Sequence, residues 1–487
     1  MNIEEKKINP AIPLTEEERI LLAKVDEHVP DLIKLLQEMV KIDSVNVAED
    51  VYAERNEIFE FVEKTMKKSG FKTQLVKAPF PGGRKNQFYY NLIAALEGKG
   101  PGRSLQFNGH LDTVAYNAEN WNPDTPPLGA VVKDGRMYGR GSGDMKGGIA
   151  AMIMAMRILK DSKIDLKGKL QLWCTPDEET HGAYGAGYMV THHPELVKTN
   201  ATIISEGRSQ APLITPIMTA GEKGPHWLKF TFFGAAGHGS FPKKKSNALN
   251  KAVRFMFHAE RHLHIPRRRL PENTVSLFRS FLQRYSLSDL VKLLSKMSPP
   301  SNPYEKDRRT YRSMHETTYS FDKIRAGEKV NIVPDRCELE VDFRVQPGVS
   351  AQQLFDAISD YCAWLGYKVE MPKGFENKQN KNPGFNNEPV DVEISIITLG
   401  EGFFVDKDSE FGQVLANSFE AVFETAPVYT LSSGFSDASN MYAGGMKDVF
   451  IIGPQGQNAH NANESVDITS LVEITKLYLL TAYRYLS

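Results

Sequence analysis

The residues with the clearest chemical potential are histidines and carboxylates next to apolar or glycine-rich segments. His110 and Asp112 end an apolar run, Asp144 lies among glycines, and Glu178 and Glu179 form an acidic pair. Nitrogen and carboxylate oxygen are ligands that hard or borderline divalent cations accept. The combination indicates two metal ions that activate a water molecule between them.

Each residue taken alone has a commoner explanation. A helix N-cap would account for Asp144, and a solvated turn would account for Glu178 and Glu179. Adjacent like charges at a strand end are costly unless a cation neutralises them. We therefore expect one glutamate to bind metal and the other to take a proton from water. Asp112 is placed to fix the tautomer of His110.

Three further residues extend the set. Glu206 follows an apolar strand-like run, and His460 and His238 lie in glycine-containing segments. Taken singly, a surface glutamate and hydrogen-bonded loop histidines are the simpler interpretations.

Length and composition exclude several classes of protein. The chain has 487 residues, which predicts two or more domains, and its net charge of -1 argues against nucleic-acid or anionic membrane partners. The N-terminus lacks the apolar core of a secretory signal, and the longest apolar stretch, Ile149–Met156, is too short for a membrane span. A cytoplasmic location is expected. Cys174, Cys337 and Cys362 form no Cys-x-x-Cys zinc site, so histidine and carboxylate must hold any metal.

The first part of the chain predicts an α/β sheet. A buried helix is expected at Gly147–Leu159, and strands at Asn91–Leu96, Ser104–Phe107, Leu170–Cys174 and Ala201–Ser205. His110, Glu178, Glu179 and Glu206 then follow strand C-termini. Open α/β sheets bind ligands at that edge.

The pattern changes near Ala220. Trp227–Phe233 and Cys337–Val345 alternate as antiparallel strands do, and Asn247–His262 and Ala351–Leu365 are candidate helices. We predict an α+β domain over residues 219–402, with an insertion at about 286–321. The catalytic domain would then be discontinuous, over residues 1–218 and 403–487.

The ordered motifs resemble those of the M20 metallopeptidases, the family of acetylornithine deacetylase and succinyl-diaminopimelate desuccinylase. The similarity runs from about Leu32 to Tyr485 and includes Gly-His-Leu-Asp-Thr-Val, Gly-Arg-Gly-Ser-Gly-Asp-Met-Lys-Gly-Gly, Asp-Glu-Glu, Ser-Glu-Gly and Gly-His-Gly-Ser-Phe-Pro. The resemblance implies a catalytic domain with a mixed sheet between helices, as in zinc exopeptidases. It also implies an inserted α+β lid through which two subunits dimerise.

The resemblance also implies a ligand set for two divalent ions. One ion would be held by His110, Asp144 and Glu206, and the other by Asp144, Glu179 and His460. Asp144 would bridge the two ions and precede a cis peptide bond. Zn²⁺ is expected first, and Co²⁺ or Mn²⁺ also suits such mixed ligands.

Catalytic roles follow from the same resemblance. Glu178 would be the general base, Asp112 would orient His110, and His238 from the partner subunit would polarise the scissile carbonyl.

Three expected substrate contacts lie elsewhere. They are Asn331, Arg344 and Gly434. Gly434 begins a turn in which Phe435 and Ser436 replace a glycine and a threonine of the family. An equal alternative is that Asn331 and Arg344 are ordinary turn and sheet-edge residues without a role in binding.

The expected reaction is hydrolysis of an amide bond in a small N-acyl amino acid or a short peptide. One alternative is a non-catalytic relative that binds a small ligand. The other is a dinuclear phosphoesterase, which would need cationic clamps on a phosphoryl group. Only Arg344 and Lys223 are candidates for such clamps.

Overall fold

The computed structural model describes residues 13–46, 56–79, 88–206, 217–241, 246–266, 316–375 and 389–487. Its helices are α1 (Glu16–Glu27), α2 (Val29–Lys41), α3 (Glu57–Lys68), α4 (Gly147–Asp161), α5 (Ala186–His192), α6 (Pro194–Val197), α7 (Ala248–His262), α8 (Ala351–Trp364), α9 (Glu410–Phe423), α10 (Asp437–Ala443) and α11 (Ile468–Leu486). Its strands are β1 (Lys72–Pro79), β2 (Phe88–Glu97), β3 (Ser104–His110), β4 (Val131–Lys133), β5 (Arg136–Tyr138), β6 (Lys169–Thr175), β7 (Ala201–Ile204), β8 (Ile217–Glu222), β9 (Gly224–Phe233), β10 (Gly237–His238), β11 (Thr318–Ala326), β12 (Ile332–Val333), β13 (Arg336–Val345), β14 (Val369–Glu370), β15 (Val392–Leu399), β16 (Phe403–Phe404), β17 (Val428–Ser432), β18 (Val449–Ile451), β19 (Gly456–Gln457) and β20 (Ser465–Asp467).

The chain forms two compact units. The first comprises Met1–Ala220, Val405–Thr430 and Ser436–Ser487, and the second comprises Gly221–Phe404 and Leu431–Phe435. Both combine helices with sheets, so the predicted α/β fold class is confirmed. The catalytic and lid roles assigned to the two parts of the chain stay predictions.

A mixed sheet organises the first unit, with the strand order β1-β2-β6-β3-β7-β18. β3 runs parallel to β6 and to β7, whereas β2 is antiparallel to β1 and β6. β3 and β6 are buried along almost their whole length, as is typical of parallel strands covered on both faces. Because β3 lies between β6 and β7, the C-terminal ends of these three strands meet at one edge.

Helix α4 is the buried helix that its alanine, methionine and isoleucine content predicts. It packs against α11 and β3. Gly148 in its first turn lies against the residue that follows β7, because a Cβ on Gly148 would come within 1.9 Å of Ser205 Oγ. A side chain at position 148 would therefore displace the segment that leads into Glu206.

A small second sheet in the first unit has the order β19-β20-β5-β4. β20 pairs with β5 so that Val466 lies opposite Met137. The segment after β5 leads to Asp144, and the segment between β19 and β20 contains His460. This sheet therefore joins two segments that are remote in sequence.

The second unit contains an antiparallel sheet of order β11-β13-β9-β15-β14, in which only β14 and β15 pair in parallel. β13 alternates between buried and partly exposed residues, and α7 packs on β9, β13 and α8. Phe230, Phe255, Phe343 and Phe355 lie in the resulting core. The strands and helices predicted here are confirmed, with bounds within a few residues.

Some predictions made from the sequence differ from the structure or lie outside the described residues. Residues 16–66 have a sequence typical of helix with a break at Pro30. In the structure α1 ends at Glu27 and α2 begins at Val29, so the break falls at His28, and residues 42–46 are not helical. Residues 286–315 of the predicted insertion lie outside the described residues. Thr318–Phe321 belong to β11, which pairs with β13 of the main sheet. No helix in the described ranges has the length and apolar character that a bilayer span requires.

Candidate metal centre

Three of the candidate ligands and the candidate base lie at the C-terminal edge of the parallel strands. His110 is the last residue of β3, Glu178 and Glu179 follow β6, and Glu206 follows β7. Ligating atoms of His110, Glu178 and Glu206 all lie within 4.8 Å of one another. The same holds for His110, Asp144 and Glu179. The strand order thus brings together residues that are dispersed in the sequence.

Asp144 lies between two histidines. Its Oδ1 is 3.2 Å from His110 Nε2, and its Oδ2 is 3.1 Å from His460 Nε2. His460 Nε2 is also 3.1 Å from Glu179 Oε2. The two oxygens of one carboxylate therefore face different nitrogen donors, which is an arrangement that suits a bridging ligand. The Asp144–Met145 peptide bond is cis, as the family resemblance predicts.

Asp112 contacts both His110 and the double-glutamate turn. The Nδ1 atom of His110 is 3.0 Å from the backbone oxygen of Asp112 and 3.4 Å from its Oδ1. The Asp112 carboxylate also accepts hydrogen bonds from Glu178 N and Glu179 N, each at 3.3 Å. With Nδ1 engaged in this way, Nε2 of His110 faces Asp144.

Two supporting residues were missed by the sequence reasoning. Asn46 Nδ2 donates to Asp112 Oδ2 at 3.3 Å and to Thr180 Oγ1 at 3.1 Å. Asp177 is buried and accepts hydrogen bonds from Tyr184 N and Gly185 N, each at 2.7 Å. Asp177 directly precedes the acidic pair, so its place in the Asp-Glu-Glu motif could have indicated its role. No feature of the sequence marks Asn46.

The two glutamates after β6 are held in an environment that disfavours their charge. For Asp144, by contrast, burial acts to raise the pKa, but hydrogen bonds with His110 and His460 outweigh burial and lower it. Burial raises the pKa of Glu178 well above its ordinary value, and the neighbouring charge of Glu206 raises it further. Burial also raises the pKa of Glu179, and the hydrogen bond from His460 only partly opposes this shift. The cluster therefore has a surplus of buried negative charge.

The two histidines differ from the glutamates because their charged form is favoured. Hydrogen bonds with Asp144 and Glu179 raise the pKa of His460 to about 10. Burial acts to lower the pKa of His110, but its hydrogen bonds with Asp112 and Asp144 outweigh burial and raise that pKa well above the usual range. Protons on these histidines balance the carboxylates, and bound cations would displace them.

The residues present fit divalent ions. Glu179 Oε1 is buried and has no hydrogen-bond partner among the described residues. An unsatisfied buried acceptor costs roughly 1–3 kcal/mol, and a cation would remove that cost. Imidazole nitrogen with carboxylate oxygen is a donor set that Zn²⁺, Co²⁺ or Mn²⁺ accepts.

Two of the remaining predicted residues are neighbours in the second unit. His238 is exposed in β10, and its Nδ1 lies 2.8 Å from Ser240 Oγ. Gly239 N donates to Asn331 O at 2.8 Å, on the segment that leads into β12. The structure therefore brings His238 and Asn331 together.

The other two have local partners in the same unit. Arg344 Nε in β13 donates to both carboxylate oxygens of Asp342, at 2.9 and 3.0 Å. Gly434 is exposed, and its N–H donates to Ser432 Oγ at 3.1 Å. Arg344 is part-buried, and its guanidinium carries further N–H donors on Nη1 and Nη2.

Comparisons with known proteins show the family to which the chain belongs. The family model for peptidase family M20/M25/M40 matches residues 106–484. An acetylornithine deacetylase from Photorhabdus laumondii is 27% identical over 333 residues, which cover 67% of this chain and 70% of the relative. A succinyl-diaminopimelate desuccinylase from Roseobacter denitrificans is 26% identical over 404 residues, covering 81% and 86% of the two chains. The crystal structure of an M20 family metallo-carboxypeptidase from Sulfolobus solfataricus superposes with a TM-score of 0.69 at 20% identity, over 93% of this chain and 99% of that chain.

Proposed function

Because this chain belongs to the M20/M25/M40 peptidase family and is a metallohydrolase, we propose that it cleaves the amide bond of a small N-acyl amino acid or a short peptide. The observation that carries the proposal is the position of Asp144, whose two oxygens face His110 and His460. The deacetylase and desuccinylase relatives support an acylated amino acid, and the carboxypeptidase neighbour supports a peptide.

We assign His110, Asp144 and Glu206 to one ion, and Asp144, Glu179 and His460 to the other. The short distances from His460 to Asp144 and Glu179 support the second group. When bound, two such ions lower the pKa of a water molecule and polarise a carbonyl oxygen. Zn²⁺ is the expected metal, with Co²⁺ or Mn²⁺ also compatible with these ligands.

Glu178 is the proposed general base. Its Oε2 is 3.8 Å from His110 Nε2, and the residue is not needed as a ligand in our assignment. It would take a proton from the attacking water and return it to the nitrogen of the leaving amine. Its buried environment favours the protonated form that exists between these two transfers.

Residues of the second unit would recognise the substrate. His238, supplied by a partner subunit, would donate a hydrogen bond to the scissile carbonyl as negative charge develops on the oxygen. Asn331, Arg344 and Gly434 would contact the rest of the molecule, and the Arg344 guanidinium suits a substrate carboxylate.

A substrate panel with metal analysis tests the proposal. The chain should carry two divalent ions, release amine from N-acyl amino acids or dipeptides, and lose activity with a chelator and recover it with Zn²⁺ or Co²⁺. Hydrolysis of phosphoesters alone, or ligand binding without turnover, would favour the two alternatives instead.

Replacing the base separates catalysis from metal binding. We expect Glu178→Gln to lower kcat by about 10²- to 10⁴-fold while both ions stay bound, because only proton transfer is removed. Glu195→Gln is a suitable control, since Glu195 is exposed with a side-chain accessibility of 66%. Near-native turnover of Glu178→Gln would contradict the assigned role.

A further inference from the structure

Glu464 is a fully buried carboxylate whose oxygens are occupied by donors from the segment that leads to Asp144. Its Oε1 accepts hydrogen bonds from Gly143 N at 2.9 Å and Asp144 N at 3.0 Å. Its Oε2 accepts from Gly141 N at 3.0 Å and from Arg140 Nη1 at 2.5 Å. Glu464 therefore fixes the backbone from which the Asp144 side chain extends.

The same network extends to the segment that carries His460. The guanidinium of Arg140, which is itself buried, donates through Nη2 to Asn461 O at 3.3 Å. Gly139 N donates to the backbone oxygen of Glu464 at 3.0 Å. Arg140 thus contacts the residue next to His460 and the carboxylate that holds Asp144.

The segment around His460 needs such external support. His460 has φ of 63°, and Asn458 and Asn463 have φ of 56° and 59°. These values lie in the left-handed region, which non-glycine residues rarely occupy without support from their surroundings. Hydrogen bonds from Arg140 to Asn461 and Glu464, on either side of Asn463, provide that support.

We propose that Glu464 is a positioning residue that holds Asp144 and His460 within reach of a shared metal ion. The inference rests on the proposed two-metal site. Glu464 is not itself a ligand, because its two oxygens already accept four hydrogen bonds. It acts through the backbone of Asp144 and, together with Arg140, through the segment of His460.

Cobalt titration of the full chain tests this role. Glu464→Gln keeps the shape of the side chain but replaces one acceptor oxygen with an amide NH2, which would face backbone N–H donors or Arg140. We expect it to weaken Co²⁺ binding by about 10- to 100-fold, as loss of a residue that orients ligands typically does. The visible absorption spectrum of the bound Co²⁺ should change as well, because the ligand geometry changes.

A matched control separates positioning from stability. Glu18 is also buried in the first unit, and it accepts a hydrogen bond from Arg484 Nε at 2.6 Å. Glu18→Gln should lower the melting temperature but leave Co²⁺ affinity and the Co²⁺ spectrum unchanged. If the Glu464→Gln chain has a lower melting temperature but binds Co²⁺ as the native chain does, the inference is overturned.

A second variant keeps the inference testable if the Glu464→Gln chain fails to fold. Arg140→Lys keeps the positive charge but replaces the planar guanidinium, whose Nη1 and Nη2 reach Glu464 and Asn461 O, with a single nitrogen on a shorter side chain. It should therefore also weaken Co²⁺ binding. Native affinity in that variant would overturn the inference. If the native chain binds two ions and hydrolyses amides while both variants bind normally, only this inference fails. If the native chain binds no Co²⁺, the proposed function fails and the inference fails with it.

Discussion

Asp112 links the histidine at the end of β3 to the two glutamates after β6. Its backbone oxygen faces His110 Nδ1, while its carboxylate accepts the N–H groups of Glu178 and Glu179. One residue therefore sets the orientation of a proposed ligand and the conformation of the turn that carries the proposed base. The sequence reasoning assigned Asp112 only the first of these tasks.

Asp112→Asn should reveal both tasks. An asparagine of equal shape has one acceptor oxygen, so the bonds to Glu178 N and Glu179 N cannot both persist. We expect metal affinity to fall about 10- to 100-fold and kcat to fall with it. Calorimetric metal titration and steady-state kinetics measure the two effects. The exposed Asp124, with 74% side-chain accessibility, provides a control substitution to Asn. Unchanged metal affinity in Asp112→Asn would show that the contacts to the turn are dispensable.

The strands and helices that position the site were largely predictable. β3, β6 and β7 are apolar runs with clear bounds, and the residues with chemical potential follow them directly. Their hydrophobic patterns depend on local sequence, which a single chain displays. That pattern alone is enough to predict that four residues lie at one edge of the sheet, namely His110, Glu178, Glu179 and Glu206.

The small sheet was not predictable in the same way. β5, β19 and β20 have two or three residues each, which is too short to show a hydrophobic period. The Arg140–Glu464 pair joins residues separated by 324 positions, and a single sequence carries no signal for such a contact. The second half of the proposed metal site therefore needed the family resemblance rather than the pattern of residues.

Helices at opposite ends of the chain are joined by a buried ion pair. Arg484 in α11 donates to Glu18 in α1 at 2.6 and 3.2 Å, and Glu18 also completes a capping box with Thr15. Burial acts to raise the pKa of Glu18, but the hydrogen bonds from Arg484 and Thr15 outweigh it, so the pKa is lowered from 4.5. A carboxyl whose pKa is lower in the folded chain stabilises the fold above its unfolded pKa.

This pair predicts a pH-dependent stability difference. Glu18→Gln should destabilise the chain by about 1.5–3 kcal/mol at neutral pH, where the native carboxylate is ionised. The difference should shrink as the pH falls below 4.5 and through the lowered folded-state pKa, because the native residue becomes protonated as well. Thermal unfolding of both chains between pH 7 and pH 3 measures it. A difference that is constant over this range would exclude a charge-dependent contribution from Glu18.

The proposed catalytic residues divide between the two units of the molecule. The proposed ligands and base belong to the first unit, whereas His238, Asn331, Arg344 and Gly434 belong to the second. The family resemblance predicts that His238 serves the active site of a partner subunit. A closed dimer would then contain two active sites, each built from both chains.

Mixing two inactive variants tests this arrangement. Glu178→Gln and His238→Ala chains should each lose at least about 10²-fold in kcat as homodimers. After equal mixing and exchange, half of the dimers are mixed, and each has one intact site, so activity should recover to about one quarter of the native value. Co-expression with two affinity tags isolates the mixed dimer. No recovery in that species would show that each chain uses its own His238.

Glu464 lies 320 residues after Asp144, so the ribosome makes it long after the segment that it supports. On the ribosome, the N-terminal segments emerge and fold first. A nascent polypeptide would already contain His110, Asp144 and the acidic pair, yet it would lack both His460 and the carboxylate that fixes the Asp144 backbone. In our assignment, a polypeptide that stops before Glu464 cannot complete the proposed site, so it should neither bind two ions nor hydrolyse amides.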